Sequence, residues 1–333
     1  MHTLQTDFNM NGVAIAILSR AKCGLSTCTT RYLVAMAAAD LLVVITEVIL
    51  NRIKYHYIPV CFLDITPVGC TLIALSRAAM DCSVWFTVAF TFDRFVAICC
   101  QNFKATYCTG KNAASMLSTT GILLCLKNIP FYFTRKPGKI INNIPWFTKM
   151  KLSYFSDPRW VAFDLFATVL TPLLPFVVIL LLNALTVRHI LLASRVRQSL
   201  KGQSKRAKRN DPEMESRRRS IVLLFTLSGS FILLWLTNVL NSIYYQIARS
   251  GGKWNDSEII FGQVGFFLRN VSCCTNTFIY AATQSKFREQ VKFAMEYSAT
   301  AVFFCVRKIA PMHSSQAMRR LNTDGIHLRQ IRF

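Results

Sequence analysis

An Asp–Arg pair, Asp93 and Arg94, interrupts the apolar stretch FTFDRFVAICC at residues 90–100. A charge inside a bilayer costs about 2.5–3.5 kcal/mol on insertion scales, so such a group needs a partner or a route to water. Two interpretations of the pair stay open. Arg94 can anchor a helix end by extending to water, or Asp93 can neutralise Arg94 at rest and release it when helices part.

A second set of polar residues lies at one depth within the apolar runs. Asp40 is predicted about 14 Å from the basic end of its run, and Ser83 about 16 Å from Arg94 along the same helix. Asn276 has a similar depth in the last run, and Asn11 lies in the middle of the first. This oxygen-rich set can hold a small hard cation such as Na⁺, or form a hydrogen-bond network without an ion.

Charged residues also occur in the other half of these runs. Arg77 and Asp81 are four residues apart, so they share a helix face and can pair with each other. Arg269 and Asn276 lie in opposite halves of the last run. Two inward-facing arginines favour an anionic ligand group such as a carboxylate. The alternative is an internal Arg77–Asp81 salt bridge, with Arg269 extending to the lipid headgroups.

Long apolar runs must position these residues. The chain of 333 residues is 53% hydrophobic and only 17% charged, against roughly 25% in soluble domains. A spanning helix needs about 20 mostly apolar residues, which predicts an all-α membrane protein. Six runs are long enough, and a seventh at 8–19 is too short to span. It is either a half-helix or, as we favour, a first helix truncated because the start of the chain has been lost. The six are 32–51, 67–99, 113–133, 160–193, 220–247 and 257–282.

The net charge of +23 is explained by topology rather than by nucleic-acid binding. With the N-terminus outside, the cytoplasmic segments hold 24 Lys and Arg residues and the outer segments hold 10. That asymmetry follows the positive-inside rule and favours membrane topology over a nucleic-acid partner as the explanation of the charge. The basic connector at 195–220 can attract anionic membrane lipid or contact a soluble partner.

The segment 284–297 places Phe287 and Val291 on one helical face and basic residues on much of the rest. This pattern predicts a short amphipathic helix in the headgroup plane. The domain prediction is therefore a membrane domain over 1–296 and a cytoplasmic tail over 297–333.

Seven hydrophobic segments, Asp-Arg-Phe (93–95) ending the third and Asn-Thr-Phe-Ile-Tyr (276–280) ending the last, resemble one family. The sequence is similar to rhodopsin-like (class A) G-protein-coupled receptors over about residues 8–296. The stretches AAADLLVV and NIPFYF resemble an orphan branch linked to peptide or aromatic amino-acid sensing. The resemblance implies a seven-transmembrane helix bundle with a short eighth helix in the plasma membrane. It also implies an extracellular ligand, a heterotrimeric G protein as partner and no enzymatic activity.

The resemblance assigns roles residue by residue. A sodium pocket is implied for Asp40, Ser83 and Asn276, with Na⁺ at Asp40 as an allosteric ion and no cofactor. The activation switch is implied for Asp93, Arg94 and Tyr280. Transmission through the core is implied for Pro175, Phe231 and Trp235. Ligand contact is predicted for Ser76, Arg77, Asp81, Trp235 and Arg269. The resemblance places Trp235 beneath the ligand, whereas Arg77, Asp81 and Arg269 are candidates because of their charge and position. Ser76 stands where amine receptors have an acid, which disfavours a biogenic amine.

Several positions depart from the family pattern. Thr237 and Thr277 stand where proline is expected, and proline usually permits a local bend. The second outer loop, 134–159, contains no Cys, so the disulfide that the family forms between this loop and the third helix cannot exist. Cys61 and Cys70 are the remaining outer pair, and their spacing permits a local bridge.

Other functional classes fit less well. A retinal-binding light sensor needs a Lys in the last helix, and 257–282 contains none. A transporter usually shows internal repeats, which this sequence lacks, and no catalytic motif indicates an enzyme. The remaining alternative is a degenerate seven-helix protein that does not signal.

Overall fold

The computed structural model describes residues 2–20, 25–58, 60–201, 212–248 and 256–292. The chain divides into two compact units, Met1–Gln284 and Ser285–Phe333. The second unit is helical over 285–292, within the predicted amphipathic segment, and the rest of that segment lies outside the described residues. The predicted domain boundary at 296 also lies there and stays a prediction.

Within the described residues, the first unit contains seven long helices. Short helical segments precede or follow several of them. The seven helices are α1 (His2–Arg20), α2 (Thr27–Val43), α3 (Thr66–Cys99), α4 (Gly110–Asn128), α5 (Leu174–Lys201), α6 (Pro212–Ala248) and α7 (Asp256–Thr283).

Local capping sets where several helices begin. The Ser26 hydroxyl accepts a hydrogen bond from the backbone N–H of Thr29 at 3.2 Å, and α2 starts at the next residue after Ser26. Thr109 caps α4 in the same way. Asp157 caps the helix Pro158–Thr168, whose proline occupies a first-turn position where no N–H is needed. These caps satisfy N–H groups that have no partner inside the helix.

Two helices are irregular in the half of the bundle that contains Arg77. α2 continues as a π-helix over Val44–Ile53, followed by the single turn Lys54–Tyr57. The helix Pro158–Thr168 joins α5 through Val169–Leu173, where Thr171 has non-helical angles of φ −150° and ψ 114°. The indole N–H of Trp85 on α3 donates to the Thr171 hydroxyl at 3.1 Å, which ties the interruption to the bundle.

A β-hairpin occupies most of residues 134–159, the segment predicted from the sequence to be the second outer loop, and the all-α prediction did not anticipate it. β1 (Arg135–Ile141) pairs antiparallel with β2 (Ile144–Met150). Asn142 and Asn143 form the two-residue turn with φ of 50° and 60°. Turns of this geometry favour Asn because both central residues need positive φ.

The hairpin packs on the beginning of α3. The Thr66 hydroxyl donates to the Phe147 carbonyl at 2.9 Å, and Ile65 forms an isolated bridge with Trp146. Gly69 permits this contact, because a Cβ at that position would lie 3.0 Å from Cγ2 of Thr148. Hydrogen bonds and close packing thus join the loop to α3, where the disulfide typical of the family cannot form.

Cys61 and Cys70 are both free thiols, so the local bridge that their spacing permits is absent from the structure. Asp64 instead organises the short turn that contains Cys61. Its carboxylate accepts from the Cys61 backbone N–H at 3.0 Å and pairs with Lys54.

α3 is the central element of the bundle and contacts α2, α4, α5 and α6 as well as β2. The core between these helices contains Val43, Val84, Ile179, Phe231 and Trp235. By length and composition, four helical segments within the described ranges can cross a membrane. They are Thr27–Asn51, Thr66–Cys99, Pro158–Arg195 and Arg218–Gln246.

Candidate functional site

Asp40 is fully buried at the centre of the bundle, with hydrogen bonds to two other helices. The Ser83 hydroxyl lies 2.5 Å from Oδ1 of Asp40, and Nδ2 of Asn276 lies 2.8 Å from Oδ2. α2, α3 and α7 therefore meet at one carboxylate. The structure brings together the three residues that sequence depth places at one level.

Asn11 joins α1 to α7 beside this cluster. Its Nδ2 donates to the Cys273 carbonyl at 3.1 Å, and its Oδ1 accepts from the Thr277 hydroxyl at 2.9 Å. Thr277 stands where the family pattern has proline, and α7 is continuous through this position. The threonine hydroxyl therefore supplies a contact between helices at a site where proline would break the backbone hydrogen bonding.

Asp93 and Arg94 form a buried ion pair near the end of α3. Nε of Arg94 donates to Oδ2 of Asp93 at 2.9 Å, and a second guanidinium nitrogen bonds the same oxygen. The Cys28 thiol lies 2.9 Å from Oδ1 of Asp93. The third guanidinium nitrogen lies 3.3 Å from the Ser220 hydroxyl on α6. Arg94 thus connects α3 to α6, while Asp93 neutralises it.

Cys108 approaches the same pair from the connection between α3 and α4. Its thiol lies 3.7 Å from the Asp93 carbonyl oxygen. Burial and the nearby Asp93 charge raise the pKa of the Cys108 thiol to about 11, so the group is a neutral donor at physiological pH. No negative charge from Cys108 therefore competes with Asp93 for Arg94.

The other half of the bundle contains a cavity of about 550 Å³. It is bounded by the π-helical continuation of α2, by α3, α4, α6 and α7, and by the hairpin. Asp81, which lines this cavity, precedes Arg94 by thirteen residues on α3, or about 20 Å along a helix. All five residues predicted to contact a ligand line the cavity: Ser76, Arg77, Asp81, Trp235 and Arg269.

The possible pairing of Arg77 with Asp81 is wrong. Asp81 instead accepts from Nζ of Lys127 and Nδ2 of Asn128, each at 2.6 Å. Both partners lie at the end of α4, which faces Asp81 across the helix pair. Arg77 stacks over the ring of Phe131 at 4.0 Å. The i,i+4 spacing would allow Arg77 to pair with Asp81 within α3, but the packing of α4 against α3 brings Lys127 to Asp81 instead.

Arg77 and Arg135 are the cavity arginines without an ion pair to a carboxylate in the part of the chain that the structure describes. Arg135 comes from the first position of β1 and lines the cavity with Arg77. Burial, with the positive charge of Arg77 as a second cause, lowers the pKa of Arg135. Two mutually repelling guanidinium groups in one cavity favour an anion between them.

The other cavity charges are better compensated. Arg269 lies 3.9 Å from the Glu47 carboxylate and stacks over Phe266 at 4.8 Å. Glu47 also accepts from the Ser76 hydroxyl at 2.5 Å. Tyr154 lies 2.5 Å from Oδ1 of Asp164. Burial and this hydrogen bond raise the pKa of the Tyr154 hydroxyl, which keeps it a donor.

The predicted transmission residues Phe231 and Trp235 lie on α6, the helix on which Ser220 contacts Arg94. Trp235 lines the cavity, and its ring stacks on Phe231 with centroids 5.2 Å apart. Pro175 is buried in the first turn of α5, a few residues past the interruption at Thr171. Tyr280 is completely buried near the end of α7.

A family profile described as 7 transmembrane receptor (rhodopsin family) matches residues 10–280, most of the chain. The chain belongs to the rhodopsin family of seven-transmembrane receptors. The predicted fold class is therefore confirmed as a seven-transmembrane helix bundle in a membrane protein. Receptors of this family are not enzymes and act in signal transduction, so the receptor class predicted from the sequence is also confirmed.

Sequence reasoning missed four receptor residues that the structure places at these sites: Glu47, Lys127, Arg135 and Ser220. Lys127 ends an apolar run, where a lone cation indicates a buried partner as readily as a helix end. The Asn142–Asn143 pair between two short apolar stretches was the available signal for the hairpin that supplies Arg135.

Proposed function

We propose that this receptor binds an extracellular ligand with an anionic group in the cavity and activates a heterotrimeric G protein through the Arg94 end of the bundle. The observation that supports it best is the pair of uncompensated guanidinium groups, Arg77 and Arg135, in a cavity at the other end of α3 from Arg94. A charged group with no carboxylate partner among the described residues is a natural contact for a ligand of opposite charge.

The proposed ligand is small and has both an acidic and an apolar part. A cavity of about 550 Å³ lies within the range that binds small molecules or the end of a peptide. Met80, Phe131 and Trp235 supply apolar walls. Asp81 is occupied by Lys127, so it contributes to the cavity shape rather than to a ligand cation.

The signal is proposed to travel along α6. A ligand that contacts Trp235 displaces a ring stacked on Phe231, one turn farther along the helix. Ser220 lies on the same continuous helix and contacts Arg94. A rigid displacement of α6 therefore weakens the Ser220–Arg94 contact and separates the ends of α3 and α6.

The proposal includes residence in the plasma membrane with the N-terminus outside, because most Lys and Arg residues then face the cytosol. An epitope inserted in the 195–219 connector should bind antibody only after the cells are permeabilised. Binding to intact cells would contradict this orientation.

Replacement of Arg77 or Arg135 by Gln is expected to reduce the potency of an acidic agonist by roughly 10–100-fold, because each loses charge-assisted hydrogen bonds. The screen should pair carboxylic acids with their neutral amides and measure a cytosolic second messenger. Arg269→Leu should cost less, since Glu47 already compensates Arg269.

Lys136→Gln is the matched control, because it removes a cation from the neighbouring exposed position on β1. Its potency should equal that of the native receptor at equal surface expression. Agonists that act equally on the native receptor and on Arg77→Gln and Arg135→Gln would exclude the anionic contact.

We propose further that Asp40, Ser83 and Asn276 hold Na⁺. The donor types fit a small hard cation, because Asp40 supplies a full negative charge and the other two supply neutral oxygens. Hydrogen bonds join the three residues directly in the structure, so they can also stabilise the bundle without an ion. The ion would neutralise a buried carboxylate between three helices.

Sodium binding predicts that NaCl raises the melting temperature more than KCl at equal ionic strength. A gain of about 1 kcal/mol corresponds to roughly 2–4 °C in a domain of comparable size. The measurement is thermal unfolding of the purified receptor in lipid nanodiscs. Asp40→Asn should abolish the difference between the two salts, and equal melting temperatures in the native receptor would refute the sodium site.

A further inference from the structure

The contact between α3 and α6 at Arg94 depends on a neutral hydroxyl. Two guanidinium nitrogens bond Asp93, and the remaining terminal nitrogen lies 3.3 Å from the Ser220 hydroxyl. That nitrogen would bind an anion more strongly than it binds the hydroxyl, because a neutral hydroxyl is a weaker acceptor than a charged oxygen. A negative group on Ser220 would meet Arg94 without disturbing Asp93.

The residues before Ser220 form a basic sequence that an enzyme can recognise. Arg217, Arg218 and Arg219 immediately precede it in the run RRRS. Arg218 and Arg219 are exposed, and Ser220 is half-buried. A run of arginines ahead of a serine is recognised by enzymes whose substrate clefts carry acidic side chains, through complementary charge.

We propose that Ser220 is a phosphorylation site for an arginine-directed serine kinase and that its phosphate fastens α6 to Arg94. The Ser220 oxygen attacks the γ-phosphorus of ATP, the bond between the γ-phosphorus and the bridging oxygen breaks, and ADP leaves. The hydroxyl proton passes to the kinase base. The product carries about two negative charges and strong acceptor oxygens beside a guanidinium nitrogen.

The modification depends on the conformation of the receptor. Ser220 faces Arg94 when α3 and α6 are together, so a kinase reaches it when α6 moves away. After transfer, the phosphate pairs with Arg94 and favours the closed arrangement. The phosphate therefore opposes the state that admits the kinase. This inference rests on the proposed function for its cytosolic orientation, but the contact between Ser220 and Arg94 does not.

The first test uses the purified full-length receptor in lipid nanodiscs, with MgATP and the catalytic subunit of an arginine-directed serine kinase. Mass spectrometry is expected to find phosphate on Ser220 and a large loss of it in the Arg217→Gln/Arg218→Gln variant. An unmodified Ser220 in both the native receptor and the Asp93→Asn variant, under conditions where the kinase phosphorylates a control RRRS peptide, would overturn the proposal.

The second test measures the coupling of Ser220 to Arg94. Ser220→Glu is expected to raise the melting temperature by roughly 2–4 °C in the native background and to lose that gain with Arg94→Gln. Ser194→Glu is the control, because it adds the same charge at an exposed position on α5. An equal shift in both backgrounds would contradict pairing with Arg94.

A nucleotide-exchange assay separates this inference from the proposed function. Ser220→Glu should lower ligand-independent exchange on the G protein about fivefold, a change of about 1 kcal/mol in coupling energy. If no variant of the receptor promotes exchange, the proposed signalling fails. The phosphorylation and melting results then still decide whether Ser220 and Arg94 form the phosphate-dependent contact.

Discussion

Asp81→Ala is expected to destabilise the folded receptor by about 3–5 kcal/mol, because it leaves a buried cation without its partner. Asp81 and Lys127 each have only 9% of their side chain exposed, and their charged atoms lie 2.6 Å apart. Asn128 donates to the same carboxylate. The variant therefore loses an ion pair and a hydrogen bond between α3 and α4. Thermal unfolding in nanodiscs measures the loss.

The combined variant Asp81→Leu/Lys127→Met is the control for this prediction. Replacement of both charges by apolar groups of similar size is often neutral or stabilising. We expect its melting temperature to lie close to that of the native receptor and well above that of Asp81→Ala. Equal destabilisation by both variants would show that side-chain shape, rather than an unpaired charge, determines stability here.

The second prediction with a large expected effect concerns the neutralisation of Arg94 by Asp93. Asp93→Asn keeps the size of the side chain and the contact with Cys28, but it removes the charge that neutralises Arg94. We expect ligand-independent nucleotide exchange on the G protein to rise about tenfold, since coupling energies of 1–3 kcal/mol shift such equilibria by 5–150-fold. The assay uses purified receptor and G protein in nanodiscs.

Asp157→Asn is the matched control for Asp93→Asn. Asp157 is the N-cap of Pro158–Thr168, and Asn caps a helix equally well. The change removes one carboxylate at the other end of the bundle, so exchange should stay at the native rate. A rise of the same size in both variants would mean that net charge, not Arg94, controls exchange.

The helices and the depth of the buried polar residues could be predicted from the sequence. Apolar run lengths indicated the spanning segments, and the 1.5 Å rise per residue placed Asp40 and Ser83 at one level. The structure places these two side chains 2.5 Å apart. Depth along a helix is a property of one segment, so it can be predicted from that segment alone.

The pairing of charges around the cavity could not be predicted in this way. Spacing within α3 suggested Arg77 as the partner of Asp81, whereas the partner is Lys127 on α4. A pair between helices depends on the rotation and height of both, which no single segment determines. Arg135 was missed for a related reason, because the hairpin that positions it is held by contacts with α3.

Nucleotide exchange in the Asp93→Asn background tests most directly whether this receptor signals through Arg94, because it requires no known ligand. The measurement compares Asp93→Asn with Asp93→Asn/Arg94→Ala at equal amounts of folded receptor. We expect the first to promote GTP uptake by the G protein and the second to fall to the spontaneous rate. Equal rates in the two variants would contradict the account and favour a seven-helix protein that does not signal.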